Sequence, residues 1–179
     1  MTLPWNLLPY PLCFLELDLA PQSRVLSGLA LLRVEPGTSP ELLETVLRAP
    51  GPTFPNVIPA LRRMTQGAVV VSASPVAAAA QISSAMGPLG GVWSVPMLDL
   101  SSLLRAQGHA VDTRPAWAAE RCVRRLVELS VAAERDPTTE IADHIRVPRR
   151  PALWPNIVAS LVPPLPRSRP PVELHSDQA

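Results

Sequence analysis

Lysine is absent from the 179 residues, and all 16 basic residues are arginine. That bias reads first as the mark of a GC-rich coding sequence, so arginine alone says little here about phosphate binding. Net charge of one sign is also missing. The formal charge is +1, which argues against a protein that wraps nucleic acid by a general basic field. Cysteine is scarce: Cys13 and Cys122 both sit in apolar runs and read as reduced core residues. With three histidines scattered at no ligand spacing, they cannot build a metal site. Residues 1–12 are apolar but broken by Pro4, Pro9 and Pro11 and carry no basic residue. Neither a signal peptide nor a membrane span is expected from them, and the cytoplasm is the expected compartment.

What is present is an α/β pattern, clearest over residues 67–108. Val69, Val70 and Val71 between Gly67 and Ser72 suit a strand buried on both faces. Ser74 then Pro75 reads as an N-cap and first helical residue, with an alanine run carrying a helix to Gly87. After Gly90 and Gly91, residues 92–95 read as a second short strand and 98–106 as a helix closed by Gly108. Strand, helix, strand, helix at these lengths predicts a crossover unit.

Upstream, residues 12–19 alternate, with Cys13, Leu15, Leu17 and Leu19 on one side and Phe14, Glu16 and Asp18 on the other. Residues 24–35 suit a strand with a bend at Gly28, ended by Pro36 and Gly37. Thr38 to Glu41 is a capping-box pattern that predicts a short helix to Arg48. A second helix is expected over 55–65. Downstream, 115–135 is the strongest helix, with Arg121, Arg124, Arg125 and Glu128 as a polar stripe opposite Ala119, Val123, Leu126 and Val127. A turn of helix is possible over 139–145, and a Pro/Arg-rich tail follows from Pro148. The expected organisation is a Pro-rich segment over 1–11, one domain over 12–136 and an extension over 137–179.

Four passages carry a family resemblance. Phe14-Leu15-Glu16-Leu17-Asp18 and the strand after it are similar to a first strand bearing Asp-x-Glu and its following strand. The helix and strand of residues 54–71 resemble those preceding a His-Asn-x-x-Phe-Asp motif. Residues 95–105, with Asp99, Leu103 and Arg105, resemble an Asp-Thr-x-x-Leu-Ala-Arg segment. Residues 116–126 resemble a closing Asp-Ala-x-x-Thr-Ala helix. Together they resemble the DnaQ-like (DEDDh) 3′–5′ exonuclease domain of the ribonuclease-H-like fold, over residues 12–135. The resemblance implies a mixed central sheet flanked by helices, and phosphodiester hydrolysis by two metal ions held on carboxylates from three segments, with a histidine as general base.

The departures decide the expected function. Glu16 and Asp18 preserve the first carboxylate pair in inverted form. Residues 73–78, Ala-Ser-Pro-Val-Ala-Ala, supply no second carboxylate. Before the last helix His109 and Asp112 lie in the wrong register for His-x-x-x-x-Asp, and Arg114 stands beside them. The expected protein is a catalytically inactive exonuclease-like domain, a binding or structural subunit of a nucleic-acid-processing complex with no cofactor. One alternative is a working nuclease using Glu16, Asp18, His109 and Asp112 with Mg²⁺ or Mn²⁺. Another is a small α/β scaffold unrelated to nucleases.

Each residue also has a plainer reading. Glu16 and Asp18 suit the solvent face of an edge strand as well as a relic metal site. Asp99 suits a helix cap, His109 an exposed loop, and the arginines of 121–125 a solvated face paired with Glu120 and Glu128. Arg146, Arg149 and Arg150 form a basic cluster held extended by prolines. With Leu153, Trp154, Ile157, Val158 and Leu161 they suit a segment that docks on a protein partner or packs on the domain, with nucleic acid the lesser expectation.

Overall fold

Four consecutive side chains, Leu12, Cys13, Phe14 and Leu15, are at most 1% exposed, so the strand that carries them is covered on both faces. The computed structural model describes residues 10–23, 25–35, 38–47, 53–135 and 141–155. The central strand is β1 (Leu12–Leu19). β2 (Leu26–Val34) pairs antiparallel to it, and β3 (Glu41–Val46) pairs antiparallel to β2. On the other side β4 (Val69–Ser72) and β5 (Met97–Asp99) run parallel to β1. β6 (Ile145–Arg146) closes that edge antiparallel to β5. The result is an α/β protein with a mixed six-stranded sheet in the order β3-β2-β1-β4-β5-β6.

The period-two alternation of β1 sorts the core into two layers. Cys13, Leu15, Leu29, Leu31 and Val70 meet Ile58, Leu61 and Met64 of α1 (Phe54–Thr65) and Ile82 and Met86 of α2 (Pro75–Met86). Leu12, Phe14, Ala30, Leu32 and Val71 meet Leu103 and Leu104 of α3 (Leu100–Ala106) and Cys122, Leu129 and Ala132 of α4 (Ala118–Arg135). Arg33 closes the open end of α1, donating from Nη1 to the carbonyls of Met64 at 2.7 Å and Gln66 at 3.0 Å. Among the described residues no helix is long and apolar enough to cross a membrane.

Several expectations change. The helix predicted from the capping box at Thr38 is strand β3, because β2 offers a free ladder edge and Leu43 packs into the core beside α1. β2 runs through Gly28 without interruption; the register irregularity lies opposite, between Asp18 and Leu19. Glu16 and Asp18 are on the central strand, not an edge. The strand expected at 92–95 is displaced to β5. Trp93 turns inward at 2% exposure, and its backbone N–H and C=O are both taken by the Ser83 hydroxyl, at 3.2 and 3.1 Å, in place of a ladder. Ser74 stands before α2, but its side chain caps nothing. Asp99 does cap α3, accepting from the Ser102 N–H at 3.0 Å.

The extension returns to the sheet. After a tight helical turn at Ile141–His144 comes β6, and Leu153 then forms an antiparallel bridge with Val92, its N–H and C=O bonded at 2.8 and 2.7 Å. Residues 1–9, Pro36, Gly37, Arg48, Ile157, Val158, Leu161 and the rest of the tail lie outside the described residues.

The returning segment seats on Gly91, where a Cβ would lie 2.7 Å from Pro155 and 2.8 Å from Met86. Gly91→Ala is therefore expected to cost about 1–3 kcal/mol through overpacking, read as a lower urea midpoint at unchanged slope. A second expectation concerns the thiols. Cys13 and Cys122 are unpaired and buried; burial pushes Cys13 up to about 12 and raises Cys122 as well. Native protein at pH 8 should resist a thiol reagent that labels both cysteines in denaturant. Because both values rise on folding, this contribution to stability is whole below the ordinary thiol value of 9.0 and is lost as the pH climbs toward 12. Urea midpoints measured across that alkaline range should fall.

Candidate functional site

The even-numbered residues of β1 face α4, so after Leu12 and Phe14 the same face brings Glu16 and Asp18 against the first two turns of that helix. The inward stripe of α4 is Ala118, Cys122, Leu129 and Ala132, with Arg125 in the middle of it. Arg125 is the buried member of the arginine set, at 5% side-chain exposure, whereas Val123 and Val127 are nearly half exposed. The expectation of a solvated arginine face is thus corrected, because the carboxylates at the end of β1 turn Arg121 and Arg125 inward. Arg124 does pair with Glu120 one turn away, as expected.

The geometry is that of a clamp. Arg121 donates from Nε to Glu16 Oε2 at 3.0 Å and from Nη2 to Asp18 Oδ1 at 2.9 Å. It also reaches the carbonyls of Leu17 at 3.0 Å and Ala116 at 2.7 Å. Arg125 takes the other oxygen of Glu16, Nε to Oε1 at 2.7 Å, and donates from Nη1 to Glu128 Oε2 and to the Asp112 carbonyl, both at 3.0 Å. Glu16 therefore has a guanidinium on each oxygen. Burial works against the charge on Arg121 and Arg125. Hydrogen bonds and charge from Glu16 and Asp18 outweigh it for the first, and from Glu16 and Glu128 for the second, so both stay above the usual arginine range.

The third expected segment comes near by its backbone. The Asp112 N–H donates to Glu128 Oε1 at 2.6 Å, while its carboxylate is held by Arg114, with Nη2 to Oδ2 at 2.6 Å. That hydrogen-bonded guanidinium holds the Asp112 carboxyl well below the usual carboxylate range. His109 is exposed in the loop after Gly108, with its backbone N–H donating to the Leu104 carbonyl. Among the described residues no three His, Cys, Asp or Glu side chains gather as metal ligands would.

No family model, curated protein or solved structure matches this chain. Function therefore rests on the geometry. Residues 73–78 follow β4 and open α2 without a carboxylate or histidine. Of the tail residues, Arg146 is bonded to Asp99 at 3.2 Å, Arg149, Arg150 and Leu153 are exposed, and Trp154 is part-buried against the α1–α2 layer. Arg121 and Arg125 were legible as bases but not as partners of Glu16. The available signal was an arginine interrupting the inward spacing Ala118, Cys122, Arg125, Leu129.

Removing Arg125 leaves Glu16 with Arg121 alone and takes the guanidinium from Glu128, and both carboxylates are part-buried. Arg125→Met is expected to cost about 1–3 kcal/mol. Glu16→Gln combined with it should cost less than the two single changes summed, a coupling of about 0.5–3 kcal/mol by urea denaturation.

Proposed function

We propose that the chain is a DnaQ-like, ribonuclease-H-like exonuclease domain whose metal site is filled by arginine, serving as a binding or structural subunit of a nucleic-acid-processing complex. Support for the fold comes from the topology. Three antiparallel strands come first, followed by two parallel ones each reached through a helix, with the order β3-β2-β1-β4-β5 across the first five. This order is compatible with that fold. A shared fold does not bring activity with it.

The observation that carries the functional reading is Arg121 between Glu16 and Asp18. The chemistry of the resembled family uses two metal ions to generate a nucleophile and to stabilise the leaving oxygen. The residues present do not fit such a pair. Both oxygens of Glu16 and one of Asp18 are bonded to guanidinium, the Asp112 carboxylate is bonded to Arg114, and residues 73–78 supply no ligand. A guanidinium offers fixed N–H donors and no open coordination position, so it cannot present an activated water.

The test is degradation of end-labelled single- and double-stranded DNA and RNA with Mg²⁺ or Mn²⁺, beside a Glu16→Ala/Asp18→Ala variant. Wild type and variant should both leave the substrates intact. Degradation by wild type that disappears in the variant would overturn the reading and restore the metal-dependent alternative.

A further inference from the structure

The end of the sheet away from Glu16 holds a groove of about 990 Å³ between the end of α1, the start of β4 and the returning segment of residues 147–152. Its walls are mainly apolar, with Val95, Pro96, Ile145 and Val147 among them. Its charged lining is Arg62, Arg149 and Arg150, with no acidic side chain among the described lining residues. All three arginines are exposed. Neighbouring Arg63 is paired with Glu41 and Arg33 with Glu35, whereas these three have no acidic partner among the described residues.

The groove is held open by bonds independent of any ligand. β6 anchors one end of the returning segment, the bridge of Leu153 to Val92 anchors the other, and the Ser94 hydroxyl holds the Arg150 carbonyl at 2.8 Å. A wall fixed in advance lowers the ordering cost of binding.

We infer that this groove docks an acidic peptide segment of a protein partner, whose apolar side chains enter between Val95 and Val147 while its carboxylates meet Arg62, Arg149 and Arg150. Charge complementarity selects the acid, since planar guanidiniums suit carboxylates bidentately. The apolar walls select a peptide over a polynucleotide. The net charge of +1 offers no wide field to gather a polyanion. Of the two aromatic residues in the lining, Trp154 is part-buried against the α1–α2 layer, which leaves Tyr10 as the single exposed ring among the described lining residues, too few to stack successive bases. The inference gives the binding role proposed above its surface, and rests on that reading for the role alone.

The test selects a phage-displayed library of random peptides on the full chain. Enriched peptides are then synthesised and measured by fluorescence anisotropy against wild type, Arg62→Glu/Arg149→Glu/Arg150→Glu and Val147→Asp. These positions are exposed, so the variants should melt as wild type does. Enriched peptides should combine Asp or Glu with large aliphatic or aromatic residues, and bind the charge-reversed protein roughly ten-fold more weakly or worse. Val147→Asp should weaken them as well. Enrichment of peptides without acidic residues, binding indifferent to either change, or no enrichment at all would overturn the inference. So would a labelled oligothymidylate that competes for the same arginines, or self-association that the charge reversal abolishes. Glu16 and Asp18 are untouched in these variants, so failure here is separable from failure of the nuclease reading.

Discussion

A carboxylate drawn partly out of water must be met by positive charge or surrender its own, and Glu16 is met by two guanidiniums. Arg121 and Arg125 lie one turn apart on α4, each bonded to a different oxygen of the same carboxylate. The consequence reaches beyond the pair. Arg125 also holds the Asp112 carbonyl and Glu128, so one buried side chain joins the central strand, the loop before α4 and the helix itself. Apolar packing supplies the attraction between α4 and the sheet, but it is non-directional. The clamp fixes which turn of the helix sits over the end of β1.

Under the proposed function, this arrangement is a fold kept while its chemistry is exchanged. Paired carboxylates at the end of a central strand are a natural cation site. A divalent ion there would be held by many oxygens and would retain exchangeable positions for water. Arginine satisfies the same negative charge with directed N–H bonds and belongs to the chain, so its local concentration never falls. The charge requirement of the strand end is met, and the reactive property of the metal is not reproduced.

The two ends of the sheet therefore differ in how their charge is met. The end where Glu16 and Asp18 lie is closed by internal ion pairs. At the other, before β1 and β4 begin, Arg62, Arg149 and Arg150 face a groove with no acidic side chain among its described lining residues. A return of the chain to β5 and Val92 builds that groove, so the extension is part of the fold through Trp154 at least as much as it is a tail.

Local signals were legible wherever a short stretch determines its own environment. The alternation of β1, the triple valine of β4, the Pro75 start of α2, the Asp99 cap and the amphipathic α4 all follow from spacings of two or 3.6 residues, which neighbours in sequence enforce. Signals failed where a distant partner outbid the local one. A capping pattern at Thr38 yielded to the open edge of β2, and residues 92–95 yielded to the Ser83 hydroxyl. The site shows the same division. Its carboxylates and arginines could be named from the sequence, and so could the lack of any carboxylate or histidine in residues 73–78. That Arg121 would meet Glu16, 105 positions away, and that Arg125 would be buried, depended on which face of α4 docks on β1. Hydropathy assigns a charged side chain to water by default; only the packed tertiary structure supplies the part-buried carboxylate that reverses it.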